Sequence, residues 1–348
     1  MSETSAATEL RRTAGLLTRE GKGILAIDES FPTIRRRFES IALESTEETR
    51  RAYRELLIMT PGAAEYISGM ILFDETMRQR TADGTPFPRA LEEQGILPGI
   101  KVDKGAHPLA GHPDEKVTEG LDGLRQRLEE YRSLGARFAK WRAVIALGPG
   151  LPSEGCVQSN AHALARYAAL CQECGLAPIV EPEVLMDGAH DIARCRRETE
   201  RILNAAFAEL CVQRVDLEGL LLKTNMIVAG KECPRQATTA EVAAQTLQCL
   251  KHCVPDSVAG VVFLSGGQEA VQATEHLNAM NAAGNAGEPR LPWPLSFSYG
   301  RALQAPCLQR WGGRQENARA AQQALLHRER CNSLACLGRY SAEVERAA

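Results

Sequence analysis

Eight short apolar runs punctuate the chain, and amphipathic helix patterns lie between them. The runs are GILAID (23–28), ISGMILF (67–73), PGIKVD (98–103), FAKWRAVIAL (138–147), APIVEPEVL (177–185), LEGLLLKTN (217–225), VAGVVFLSGG (258–267) and PWPLSFSYG (292–300). Segments such as EETRRAYRELLIM, NAHALARYAALCQECG and CRRETERILNAAFAELCVQR repeat their apolar residues at three and four, the helical period. Strand alternating with helix implies a parallel sheet with helical crossovers. Eight strands predict a closed α/β barrel, the (β/α)8 TIM barrel, over an open sheet. Such a barrel needs about 250 residues. The chain has 348, which leaves room for additional terminal helices and longer loops. Residues 1–348 are therefore expected to form a single barrel domain, ending in a short polar tail at 341–348. NAAGNAGEPRLP (281–292), rich in Gly, Ala and Asn, reads as an exposed connection.

Composition removes several function classes. The chain is 44% hydrophobic and 24% charged, an ordinary soluble balance. A formal net charge of -3 gives no basic excess for a nucleic acid or an anionic membrane surface. The first residues, MSETSAATELRRTAGLL, lack the basic-then-apolar layout of a secretory signal. No window reaches the roughly 18 apolar residues of a membrane span. The eleven cysteines, scattered from Cys156 to Cys336, read as reduced thiols of a cytoplasmic protein. Two cysteine pairs, Cys171 with Cys174 and Cys249 with Cys253, have metal-like spacing but sit in helix patterns rather than knuckle turns, so no metal is expected there. No GxxxxGK[ST] or GxGxxG is present, so nucleotide binding has no support.

Polar residues collect at the ends of the runs. Asp28 ends the first, and Lys101, Asp103 and Lys104 end the third. Lys140 and Arg142 are two apart and share a face, as do Glu181 and Glu183. Lys223 lies in the sixth run, Ser265 ends the seventh, and Ser298 and Arg301 end the eighth. In a barrel, the C-terminal ends of different strands converge on one mouth. Any single charge here could be a paired strand terminus. The whole set is better explained as a site, because a buried charge is costly unless paired.

Lys223 is the most telling. A free lysine has a pKa of about 10.4, so almost none is neutral at pH 7. Burial and a nearby cation such as Lys140 are expected to lower that value. A neutral amine attacks a ketone and gives a Schiff base. Glu181 and Glu183 are placed to supply the proton transfers. A snorkelling lysine is the bland alternative, but LEGLLL offers it little route to water. Ser265-Gly266-Gly267 and Ser298-Tyr299-Gly300-Arg301 follow the last two runs, the usual phosphate place of this fold.

Taken together, GKGILAIDES, ILFDET, GIKVDKG, FAKWRAV, PIVEPEVL, LEGLLLKTNM, FLSGGQ, FSYGRALQ and NSLAC make the chain resemble the class I fructose-bisphosphate aldolases. The match runs in order from about residue 8 to 341. The resemblance implies a glycolytic and gluconeogenic lyase. It would cleave fructose 1,6-bisphosphate to dihydroxyacetone phosphate and glyceraldehyde 3-phosphate, with no metal or other cofactor, as a homotetramer. It places Lys223 at the Schiff-base position and Glu181 at the main acid–base carboxylate, with Glu183 and Lys140 assisting. It places Asp28 beside the bond that breaks. Ser265, Gly266, Gly267, Ser298 and Arg301 would hold the 1-phosphate, and Lys104, Arg142, Ser30, Thr33 and Arg37 the other end. Three departures stand out: Phe31-Pro32-Thr33 replaces a small Thr-Gly-Ser, Thr224 replaces a usual proline, and the last tyrosine is Tyr340. Many relatives carry a tail tyrosine that assists enamine protonation, so this step is expected to be slower here or to use another group. The alternatives are another Schiff-base aldolase with altered phosphosugar preference, or a catalytically weak scaffold.

Overall fold

A computed structural model describes residues 3–286 and 290–347. Among these residues ten strands form: β1 Gly23–Ile27, β2 Ile67–Leu72, β3 Leu97–Lys101, β4 Ala106–Pro108, β5 Lys116–Thr118, β6 Phe138–Ile145, β7 Ala177–Val184, β8 Leu221–Thr224, β9 Gly260–Phe263 and β10 Leu295–Tyr299. Eight close into a barrel in the order β1, β2, β3, β6, β7, β8, β9, β10, and β10 pairs back to β1. All neighbours in that ring are parallel. Each barrel strand overlaps one of the eight apolar runs, generally with trimmed ends. The sixth run is trimmed most at its start, because Leu217–Gly219 forms a 3-10 turn before β8 begins.

Burial on both faces explains why the runs are nearly continuous in apolar residues. Both faces of a barrel strand are covered, the outer by helices and the inner by the other strands. Inside, the alternation still sorts residues by depth. Ile24 and Ala26, Ile71, Phe138, Ala177 and Ile179, Leu221 and Val262 form one buried cluster. Ala14 and Leu17 of the helix Glu3–Leu17 join it and close the barrel at the N-terminal ends of the strands. Two residues further on, β6, β7 and β8 carry Lys140, Glu181 and Lys223, and Asp28 follows Ala26 at the end of β1. The barrel is therefore apolar below and charged above.

Packing in this lower layer needs glycine at one point in particular. A Cβ on Gly99 would stand 2.2 Å from the Phe138 ring, which is fully buried. The absent side chain of β3 is the space that the ring of β6 occupies.

Helix starts follow local chemistry. Ser153, Asp191 and Thr238 each accept from a backbone N–H three residues on, as N-caps do. One sequence expectation needs correction. The helix Ala270–Ala286 runs through the first half of the segment read as a connection. Gly284 is not a breaker there: Leu291 Cδ1 lies 2.6 Å from where its Cβ would be, so glycine makes room for packing. Residues 287–289 lie outside the described residues. The polar tail contains a short helix, Ala342–Arg346. The hairpin β4–β5 was not foreseen, since AHP and KVT are too short for a periodic signal.

Candidate active site

At the C-terminal mouth of the barrel lies a cavity of about 910 Å³. Asp28, Lys140, Arg142, Glu181, Glu183 and Lys223 all line it. A second concavity, about 640 Å³, opens at the opposite end near Lys22 and Ser296. None of these six residues faces it.

Four side chains form an alternating chain of charge. Asp28 Oδ2 is 2.7 Å from Lys140 Nζ, and Lys140 Nζ is 3.3 Å from Glu181 Oε2. Glu181 Oε1 is 3.1 Å from Lys223 Nζ. Lys140, Glu181 and Lys223 are all buried, and Asp28 nearly so. Fully ionised, the four sum to zero, which is how a low-dielectric site tolerates them. Burial alone would raise the Asp28 carboxyl. The Lys140 and Lys223 ammoniums overcome it and hold Asp28 far below the usual range. Glu181 follows the same logic: burial raises it, and Lys140 and Lys223 bring it down. Burial would lower Lys140, but Asp28 and Glu181 raise it well above an ordinary lysine. Lys140 is thus a fixed cation. Glu181 Oε2, by contrast, is buried without a hydrogen-bond partner among the described residues.

Above this chain, Arg142 Nε donates to Glu183 Oε2 at 2.5 Å. Burial opposes the charge on Arg142, and Glu183 more than restores it. Lys101 Nζ donates to Asp103 Oδ1 at 2.5 Å and lines the cavity, whereas Lys104 is exposed and does not. Lys104 is therefore misplaced as a cavity residue, and Lys101 stands there instead. The period of two explains it: Lys101 shares the inward face with Gly99, and Lys104 follows after the strand has ended.

On the opposite wall, Ser265, Gly266, Gly267, Ser298 and Arg301 come together. Gly266 and Gly267 have φ of +54° and +88°, backbone that glycine adopts without strain. Ser298 Oγ is buried and has no partner among the described residues, so its hydroxyl is available to a ligand. Gln268 was not among the sequence candidates, yet it ties this wall together. Its Nε2 donates to Ser265 O at 3.0 Å, and its own carbonyl accepts from Arg301 Nη2 at 2.8 Å. Gln268 Oε1 lies 2.6 Å from His276 Nδ1. Burial pushes the His276 imidazole down to about 4, so it is neutral, and its Nδ1–H donates to the amide.

Ser30, Thr33 and Arg37 line the near wall. Ser30 and Thr33 hydroxyls are 3.3 Å apart. Glu29, also missed in the sequence, is buried behind them. It pairs with Arg37 and with Arg54 at 2.6 Å, and accepts from Gln304 Nε2 at 2.8 Å. Its signal was present: it directly follows the Asp28 that ends the first run.

A parallel barrel whose mouth holds a buried lysine between carboxylates, facing two anion-ready walls, defines a Schiff-base lyase of the aldolase kind. Residues 9–348 match the family model described as Fructose-bisphosphate aldolase class-I. A probable fructose-bisphosphate aldolase class 1 from Xanthomonas campestris pv. campestris is 57% identical over 333 residues, covering 95% of this chain and 98% of that one. The cytoplasmic isozyme of fructose-bisphosphate aldolase from Spinacia oleracea is 52% identical over 334 residues, covering 96% and 92%. Among solved structures, the aldolase of Plasmodium falciparum, crystallised with TRAP and a small-molecule inhibitor, superposes with a TM-score of 0.94 at 47% identity, covering 97% of this chain and 96% of that one. The chain belongs to the class I fructose-bisphosphate aldolase family.

Proposed function

We propose that this chain cleaves fructose 1,6-bisphosphate reversibly through an imine on Lys223. The observation that carries this residue assignment is the contact of Lys223 Nζ with Glu181 Oε1 at 3.1 Å inside a neutral, buried charge chain. A proton passed from Lys223 to Glu181 leaves the amine nucleophilic without changing the net charge of the pair. The amine adds to the C2 ketone of the substrate. Glu181 then protonates the resulting hydroxyl, water leaves, and an iminium remains. The iminium carries the positive charge that the ammonium carried, so Glu181 and Lys140 face an unchanged electrostatic load. A carboxylate, Asp28 or Glu181, takes the proton of the C4 hydroxyl. The C3–C4 bond breaks, glyceraldehyde 3-phosphate leaves, and the bonding pair enters the enamine. Protonation at C3 and hydrolysis of the imine release dihydroxyacetone phosphate and regenerate Lys223.

Phosphate at one end is assigned to Ser265, Gly266, Gly267, Ser298 and Arg301. The other end falls to Arg142, Ser30, Thr33, Arg37 and Lys101, with Glu183 orienting Arg142. The chain is read as one barrel domain of a cytoplasmic enzyme that works as a homotetramer, the assembly usual in the family. Borohydride reduction in the presence of dihydroxyacetone phosphate and EDTA tests the mechanism. A mass adduct on Lys223 is expected. Cleavage that persists in EDTA with no adduct on Lys223 would overturn the assignment.

A further inference from the structure

The mechanism uses no histidine or cysteine, yet three ligand-type side chains meet at the other end of the chain. His327 and Cys331 stand one turn apart on the helix Ala318–Cys336, so they share a face. Glu345 comes from the terminal helix Ala342–Arg346. Their ligand atoms all lie within 4.8 Å of one another. None of the three lines the catalytic cavity.

Geometry narrows what could bind. Zinc sits about 2.3 Å from a thiolate and about 2.0–2.1 Å from an imidazole nitrogen, so a tetrahedral angle sets sulfur and nitrogen about 3.5 Å apart. Cys331 Sγ and His327 Nε2 are 3.5 Å apart. The pair is spaced as the edge of such a tetrahedron before any metal arrives.

Glu345 has capacity for a fourth bond. Its Oε1 accepts from Arg328 Nη1 at 2.5 Å, and its Oε2 accepts from the same nitrogen at 2.6 Å and from Tyr340 Oη at 2.6 Å. A carboxylate offers about four lone-pair sites. One on Oε1 is left, and those three hydrogen bonds hold the group in place. Such partners behind a ligand orient it and raise its affinity. Cys331 thiolate and Glu345 carboxylate offset the cation, and Arg328 leaves the cluster at one positive charge. His327 and Glu345 are half-buried, which gives an ion a path to the buried Cys331.

We propose that His327, Cys331 and Glu345 form a site for a thiophilic divalent cation of the zinc type, with water as the fourth ligand. Soft sulfur with imidazole and one carboxylate selects zinc over magnesium or calcium. The thiol releases its proton as the metal–sulfur bond forms. The site would act as a clasp. It ties the terminal helix to the helix behind it, where Arg328 also reaches Thr274 Oγ1 at 2.6 Å on the helix that follows the Ser265–Gly267 loop. It has no part in the aldol chemistry.

Cobalt titration of the full-length chain, freed of metal by EDTA, tests this. One equivalent should give a thiolate-to-cobalt band in the near ultraviolet, and zinc should bleach it. Cys331→Ser should abolish the band. His327→Ala and Glu345→Gln should each weaken binding about tenfold or more, as loss of a ligand does. Cys249→Ser and Cys253→Ser, at a helical cysteine pair elsewhere in the fold, should leave it intact. Cleavage activity should stay unchanged in every variant. Zinc should also slow carboxypeptidase trimming of the C-terminal helix, and His327→Ala should remove that protection. No band at one equivalent, a band that survives Cys331→Ser, or a band indifferent to His327→Ala would each overturn the site. If Cys331→Ser fails to fold, the half-exposed His327→Ala carries the test alone.

Discussion

Lys140 sits between two carboxylates, and the division of labour around Lys223 follows from that. Because Asp28 and Glu181 raise it well above an ordinary lysine, it stays charged through the cycle. Glu181 therefore presents one oxygen to a permanent cation and the other to the reacting amine. On β3, one residue decides which lysine meets the substrate. Lys101 lines the cavity, and Lys104 is exposed with its N–H bonded to Glu119 O at 2.9 Å. Lys101→Ala is expected to lower kcat/KM for fructose 1,6-bisphosphate about tenfold to a hundredfold, as loss of a charge-assisted phosphate contact does. Lys104→Ala should stay within about twofold, like other exposed positions. Steady-state kinetics of both variants decide it, and an equal loss in the two would sink the placement. The sequence did hold this information. Counting by two inward from Gly99 selects Lys101, and the family likeness alone pointed to Lys104. Glu29 and Gln268 were harder to find, because both act on other side chains. Nothing in FLSGGQ says that the glutamine amide will turn back to Ser265 and meet a histidine eight residues on.

Strands were legible as elements because each is a short apolar run bounded by turn residues, and eight of them in alternation with helices admit few topologies. Their ends were not, since the polar residues that close each run belong to the mouth rather than to the ladder. On the pleat, Phe138, Lys140 and Arg142 of β6 point the same way at increasing depth toward the mouth. The apolar base of the strand thereby sets the position of its functional top. Gly99→Ala tests this link. Its new methyl would fall 2.2 Å from the Phe138 ring, which is fully buried. Overpacking of this kind costs about 1–3 kcal/mol. The expected outcome is a lower thermal midpoint together with a fall in kcat, because the strand that carries Lys140 must shift. Adding Phe138→Leu should restore part of both. A variant with reduced stability and full kcat would show that the base and the top of β6 are not coupled.

Across the whole molecule, buried carboxyls pull the pH dependence of stability in opposite directions. Asp28 and Glu181 are held below their ordinary range by Lys140 and Lys223, against burial. Their contribution is present above the unfolded carboxyl pKa of about 4 and is lost as the pH falls through the depressed folded values. Glu329 runs the other way. It is fully buried on the helix Ala318–Cys336, and neither oxygen has a partner among the described residues. Burial alone raises its carboxyl well above the usual range. A raised acid contributes fully below its unfolded pKa, and that contribution is lost as the pH rises toward the folded one. At neutral pH the fold therefore holds a carboxyl that resists ionising. Glu329→Met, of similar volume and no charge, should stabilise the protein by about 1–3 kcal/mol near neutrality, the usual cost of an unsatisfied buried polar group. The gain should shrink as the pH falls below about 4.5, where Glu329 becomes protonated in both states. Thermal midpoints of the two proteins across that range check the sign. A gain of equal size at both ends would assign the effect to packing and remove the ionisation of Glu329 from the account.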